Sequence, residues 1–167
     1  AETVESHFAL KYPGKLQDLS EQQIASCPLG TNPNDCGGTG GCQGGTIEAA
    51  FESIIKAGGL ASEWQYPYRS VFGTNYDCEL EFVKNQTKIN EVQLTSYVKN
   101  PSNQYWALID AVANKGPQAI TVDASSWHNY ETGVYDGCNQ DSPVIDHGVQ
   151  LVGYGDDEQF GPYWLIR

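Results

Sequence analysis

Apolar residues recur at helical spacing in the first half of the chain and at strand spacing in the second. Ala1, Val4 and Phe8 fall on one face and predict the end of an amphipathic helix over 1–11. Tyr12-Pro13-Gly14 stops it. Ser20 followed by Gln23 is a capping box, which opens a short helix ending near Cys27. Residues 28–45 read as a loop. Thr46 caps a third helix with Ile47, Ala50, Phe51, Ile54 and Ile55 at helical spacing, ended by Gly58-Gly59. Tyr66-Pro67-Tyr68 is a turn with aromatic packing. From Glu91 the alternation Val92, Leu94, Ser96, Val98 predicts a strand. Ser102 then caps a helix carrying Trp106, Ile109 and Val112 and ended by Gly116-Pro117. Strands are expected near 118–123, 132–135, 147–153 and 162–167. The pattern is α+β, with a helical part over 1–90 and a strand-rich part over 91–167.

Composition narrows the class. Hydrophobic residues at 40% and four Trp exclude a disordered chain, and 167 residues suffice for one domain or two small lobes. No run of about 18 apolar residues occurs, so no membrane span is expected. The first residues lack the basic start and apolar core of a signal peptide. With a helical pattern already running at Ala1 and no Met, they do not read as the start of a protein. Nine basic against twenty-one acidic residues give a net charge of −12, which argues against nucleic acid and anionic membranes as partners. The cysteines stand at 27, 36, 42, 78 and 138 without a C-x-x-C, so a disulfide framework in an oxidising compartment is favoured over zinc. An odd count leaves at least one thiol without a partner in the chain. Asn85-Gln86-Thr87 is a sequon for N-glycosylation, in keeping with the secretory pathway.

Candidate chemistry converges on Val144–Gly155. His147 stands at the mouth of an apolar run, Val149, Leu151, Val152, closed by Gly153-Tyr154-Gly155, and small Gly148 beside it leaves room for approach. His7 lies on the first helix and His128 in a loop, and no spacing of the three supports a metal site. Asp146 is a poor orienting partner for His147, because adjacent residues on a strand point to opposite faces. No G-x-S-x-G elbow is present. Glu5 and Glu21, as a carboxylate pair, would suit glycoside chemistry, but their helical settings fit capping or buried hydrogen bonding better. The glycines of Cys36–Gly45 lack the preceding strand and the Lys of a phosphate cradle. They suit either a tight disulfide-bounded loop or a backbone exposed for β-type pairing with an extended peptide.

Taken together, several motifs resemble the papain-like cysteine peptidases of cathepsin L type. They are Ser20-Glu21-Gln22-Gln23-Ile24 with Cys27, Gly41-Cys42-Gln43-Gly44-Gly45, Gly59-Leu60, Tyr66-Pro67-Tyr68 with Cys78, Gly116-Pro117, and Gly133-Val134-Tyr135. Asp146-His147-Gly148-Val149, Gly153-Tyr154-Gly155 and Tyr163-Trp164-Leu165-Ile166-Arg167 complete the series, in order, over essentially the whole chain. The resemblance implies a two-lobe fold, a helical left lobe and an antiparallel β-barrel-like right lobe, with the site in the cleft between them. It implies a cysteine endopeptidase with no cofactor, in which a Cys thiolate–His imidazolium pair forms an acyl-enzyme.

By the same resemblance His147 is the catalytic histidine. Gly44 and Gly45 pair with substrate backbone. Thr46, Ile47, Thr121 and Gly148 wall the pocket for the substrate's second residue before the cut, and the backbone of Asp146 contacts substrate. Cys27 pairs with Cys78. The nucleophile falls a few residues before Ala1, and the Asn that orients the histidine follows Arg167, so the chain reads as an internal piece truncated at both ends and inactive alone. Cys42 and Cys138 would pair with cysteines outside it; for Cys36 a pairing with Cys42 also stays open. The implied partners are peptide or protein substrates, an inhibitory propeptide and cystatin-like inhibitors. A monomer in the lysosome, vacuole or extracellular space is expected. The alternative is an inactive homologue that binds peptides or partners.

Overall fold

The computed structural model describes residues 1–28, 40–81 and 92–167. Cys36 and Asn85 lie outside them. The chain divides into two compact units, Ala1–Lys99 and Asn100–Arg167. A boundary near residue 90 would fall in the stretch 82–91, outside the described residues.

In the first unit, α1 spans Glu2–Lys11 and buries Val4. Its Ala1 and Phe8 pack on a core of Val4, Leu19, Ile54, Leu60 and Val92, the face expected from their spacing. Helix α2 spans Glu21–Ser26, and Ser20 caps it by accepting from the Gln23 N–H at 2.9 Å. The other half of the expected capping box is used differently. Gln23 Nε2 donates to the Gly59 carbonyl at 2.8 Å, and its Oε1 accepts from the Ala61 N–H at 2.8 Å. The Ser20 N–H donates instead to the Ala61 carbonyl at 2.9 Å. Beside it the fully buried Gln22 donates to the Ser26 and Ser70 hydroxyls and accepts from the Arg69 and Ser70 N–H groups. Helix α3 spans Ile47–Ala57, capped by Thr46 and ended by Gly58 at φ 83°, a left-handed conformation that glycine reaches without steric cost. The disulfide Cys27–Cys78 ties the end of α2 to the segment after the Tyr66 turn. Tyr66 is buried, and its hydroxyl accepts from the Glu79 N–H at 3.0 Å.

The alternation after Glu91 does not make a strand. Val92 forms a single bridge with Leu60, and the rest of the segment packs on α3 through Phe51–Tyr97, Tyr97–Glu52 and Lys99–Glu48. It meets side chains of a helix where a strand would need a ladder partner, so Val98 is left exposed.

In the second unit, helix α4 spans Tyr105–Lys115. Its N-cap is Gln104 rather than Ser102, and it turns Ala111 and Val112 inward while Trp106 stays exposed. Three strands follow among the described residues: β1 (Gln118–Val122), β2 (His147–Asp157) and β3 (Gly161–Ile166). They form an antiparallel sheet in that order, with β2 central and α4 packed on it. The 132–135 segment is not a strand: Gly133 sits in a bend at φ 85° and the Tyr130 hydroxyl donates to its carbonyl, a local closure that competes with pairing. A register shift between Leu151 and Gly153 marks a bulge on β2. The Gly153-Tyr154-Gly155 run continues the strand rather than turning it. Tyr163, opposite Gly155, covers that glycine so closely that a Cβ there would lie 2.5 Å from the ring.

Two outcomes follow for the first unit. Gln22→Leu keeps the volume and leaves two N–H groups and two hydroxyls without their partner. It should lower stability by about 2–4 kcal/mol, read from the urea midpoint of the complete protein. The second concerns acidity. Glu63 Oε1 accepts from the Tyr68 N–H, while Oε2 is buried without a donor. Burial, reinforced by Glu21 and Asp18, pushes the Glu63 carboxyl above the usual carboxylate range. A folded-state value above the unfolded one penalises folding at neutral pH, and the penalty disappears as pH falls through the raised value toward that of an ordinary glutamate, 4.5. Glu63→Gln should therefore raise the melting temperature at pH 7, with the gain shrinking to nothing below about pH 4.5. An unchanged gain at acidic pH would disprove the assignment.

Candidate active site

His147 is the first residue of β2 and is exposed. The β1–β2 register sets it opposite Val122 and sets Gly148 opposite Thr121. Strand pairing alone thus brings together His147, Gly148 and Thr121, which the sequence spreads over the 28 positions from 121 to 148. A Cβ on Gly148 would meet nothing within 4 Å, so the space beside the histidine is open.

Asp146 does not serve the imidazole. Its Oδ1 accepts from the Ala124 N–H at 2.8 Å, and its own N–H donates to the Val122 carbonyl at 3.1 Å. Both bonds tether the base of β2 to the end of β1. Val144, two residues earlier, donates its N–H to Asp123 Oδ2 at 2.9 Å. Hydrogen bonds from the Ser125 hydroxyl, then from the Val144 and Ser125 N–H groups, hold the Asp123 carboxyl below its usual range. His128 stands exposed in a 3-10 turn, Trp127–Asn129, and His7 is exposed on α1.

In the first unit Gly44, Gly45, Thr46 and Ile47 run in sequence from a glycine loop into α3. The loop is folded on itself: the Gly40 N–H donates to the Gly44 carbonyl at 2.8 Å, and the Gly44 N–H donates to the Gly41 carbonyl at 3.1 Å. Asn75 fixes it from outside. Its Oδ1 accepts from the Cys42 N–H at 2.7 Å, and its Nδ2 donates to Gln43 Oε1 at 2.6 Å. Gly41, at φ 59°, lies against Asn75 so closely that a Cβ would overlap its amide. Gly45 is exposed and makes no main-chain hydrogen bond among the described residues. Beside the loop is a mostly apolar hollow lined by Ile24, Ala25, Gly44, Gly45, Ala49 and Ala50. Thr46 spends its hydroxyl on the Ala49 N–H.

Glu5 accepts from the Leu19 N–H at 3.0 Å, and burial raises its carboxyl above the ordinary range. It is a structural tie, as its helical setting suggested. Cys42 and Cys138 are free thiols among the described residues. No cluster of three or more His, Cys, Asp or Glu there could hold a metal ion.

The family description "Papain family cysteine protease" matches residues 1–167. The chain belongs to this family. Bovine cathepsin S is 37% identical over 168 residues, covering 98% of the chain and 45% of that protein. Vignain of Vigna mungo is 37% identical over 158 residues, covering 92% of the chain and 38% of that protein. The chain thus spans less than half the length of these relatives. Bromelain of Ananas comosus, solved in complex with the E64 inhibitor, superposes with a TM-score of 0.78 at 32% identity, covering 99% of the chain and 67% of that structure. The papain-family fold and its α+β class follow from these matches, and the Cys27–Cys78 disulfide is present as the resemblance implied.

Sequence reading passed over Asn75 and Asp123. Both act through side-chain bonds to distant backbone, which leave no periodic trace. Replacing Asn75 by Ala should free the Cys42 amide: its hydrogen exchange should quicken by roughly 5- to 10-fold, the equivalent of one hydrogen bond of about 1 kcal/mol.

Proposed function

We propose that this chain is part of a cysteine endopeptidase in which His147 is the acid–base partner of a cysteine thiolate. The carrying observation is the placement of His147: an exposed imidazole on the first residue of a central strand, with open space at Gly148 and a tethered backbone just before it. The thiolate is assigned to a cysteine upstream of Ala1, and the residue orienting the imidazole to an Asn after Arg167. A thiol beside an imidazolium has its pKa drawn below the free value of about 8.5, so the thiolate attacks the peptide carbonyl. His147 then delivers its proton to the leaving amine and, in the second half-reaction, activates water against the acyl-enzyme.

Substrate positioning falls to the glycine loop. Gly45 offers main-chain N–H and C=O groups that no described residue uses, as an extended peptide requires. Thr46 and Ile47 of the first unit and Thr121 and Gly148 of the second are assigned to recognition of the substrate's second residue before the cut, and small Gly148 with apolar Ile47 favours a hydrophobic or aromatic side chain there. The Asp146 backbone contacts the substrate through its carbonyl, since its N–H is bonded to Val122. The whole protein has the two-lobe arrangement, helical and β-barrel-like, and needs no cofactor. It works as a monomer on peptide or protein substrates, under the control of a propeptide and of cystatin-like inhibitors. A disulfide at Cys27–Cys78 supports a lysosomal, vacuolar or extracellular setting.

The test is His147→Ala in the complete protein. Turnover of a fluorogenic peptide should fall by a factor on the order of 10³ or more, and labelling by an epoxide thiol reagent should be lost. Retained turnover would remove His147 from the mechanism. A parent protein that binds peptides without cleaving them would favour a non-catalytic homologue.

A further inference from the structure

The β1–β2 ladder ends at the pair Val122–His147. Beyond it the chain leaves through residues 123–146, which contain no strand. The last pair of such a ladder is where fraying begins, because nothing further out holds the two chains together. Here that last pair contains the histidine on which the proposed chemistry rests.

Two carboxylates close the open end, and they do so reciprocally. Asp123, the first residue after β1, reaches across to the far side: its Oδ2 accepts from the Val144 N–H at 2.9 Å. Asp146, the last residue before β2, reaches back: its Oδ1 accepts from the Ala124 N–H at 2.8 Å. Between them the Asp146 N–H donates to the Val122 carbonyl at 3.1 Å. The second Asp123 oxygen, Oδ1, is occupied by the Ser125 N–H at 3.0 Å and the Ser125 hydroxyl at 2.5 Å. Ser125 thereby fixes the rotation of the carboxylate, so that Oδ2 points at Val144.

The geometry suits a carboxylate and no other side chain of that length. Both oxygens must accept at once, from opposite directions. An amide could serve Ser125 with its oxygen, but would then turn an NH₂ group toward the Val144 N–H, donor against donor. The Asp123 bonds are also spent wholly on backbone and on Ser125, and none goes to an imidazole. We infer that Asp123 is a positioning residue for His147: with Asp146 it clasps the mouth of the β1–β2 pair and holds the backbone from which the imidazole is presented. This inference rests on the reading of His147 as the acid–base residue.

The experiment uses the complete protein and Asp123→Asn, with two readouts. Peptide turnover should show kcat lowered by about 10-fold, with KM within about twofold, because misplacing an acid–base group costs rate rather than ground-state binding. In protein carrying histidine labelled with ¹³C at the ring ε1 position, the His147 signal should broaden or move while those of His7 and His128 stay fixed. A variant that loses thermal stability but keeps kcat and an unchanged His147 signal overturns the inference. Should the parent protein prove inactive, the peptidase reading fails, and the His147 ring signal alone decides the clasp. Should Asp123→Asn fail to fold, the unaltered protein still decides. Protection of the Val144 and Ala124 amides from hydrogen exchange to the same degree as the Asp146 amide, which donates to the Val122 carbonyl, supports the clasp, and free exchange at Val144 overturns it.

Discussion

Everything in the first unit hangs on two adjacent buried amides. Gln22 and Gln23 sit in one turn of α2 with almost no exposure, and an unpartnered amide there would cost several kcal/mol in an apolar surround. Each is satisfied by main chain far away in sequence: Gln22 by Arg69 and Ser70, Gln23 by Gly59 and Ala61. Because the side chains are planar and short of slack, these bonds fix where the chain runs after α3 and after the Tyr66 turn. The Cys27–Cys78 disulfide and the Glu5–Leu19 bond then lock segments that the amides have already placed. The glycine loop inherits this order, since the hollow beside it is walled by Ile24 and Ala25 of the same helix.

The second unit reaches the same end through backbone pairing. Strand β2 bonds on both sides, so its residues have little freedom except at its start. His147 occupies that start, where the chemistry proposed for it needs exposure and rigidity is hardest to supply. Side-chain-to-backbone bonds substitute for the missing ladder, as Asn75 does for the glycine loop. In both units the residues proposed to meet substrate make few bonds of their own, and neighbours with polar side chains hold them.

Much of this was legible in the sequence. Helices α1, α2 and α3, their caps at Ser20 and Thr46, and the strands expected near 118–123, 147–153 and 162–167 follow from periodicity and punctuation, although β2 runs on to Asp157 past the glycines expected to close it. So does the grouping of His147 with Gly148, although their pairing with Thr121 needs the register. Two expected strands failed for reasons that periodicity does not carry. The alternation after Glu91 is real, but its partners are Phe51, Glu48 and Glu52 on α3, and alternation says nothing about what lies opposite. At 132–135 the local bond from Tyr130 to Gly133 won over pairing. Ser102 was an adequate cap by type, yet the positive φ of Asn103 breaks the chain there, and the helix starts only at Tyr105. The glutamines were visible as a motif, but one was read as half of a capping box. Only the fold shows that its amide is worth more across 36 residues than back to its own helix end.

Charge deserves the same physical reading as packing. The net charge is −12, and two carboxylates are in surroundings that disfavour the ionised form. Glu5 and Glu63 are both pushed upward, with burial the largest cause in each. Asp123 is pushed the other way, because its oxygens are filled by donors. The opposition has a consequence for acidic conditions. As pH falls, Glu5 and Glu63 take up protons before an ordinary glutamate would, and the cost of burying their charge falls away. Asp123 keeps its charge to lower pH, so the bonds at the mouth of β1 and β2 persist. Mild acidification therefore removes the burial cost at Glu5 and Glu63 and leaves the Asp123 bonds in place, a contrast set among carboxylates of the same intrinsic chemistry only by what surrounds them.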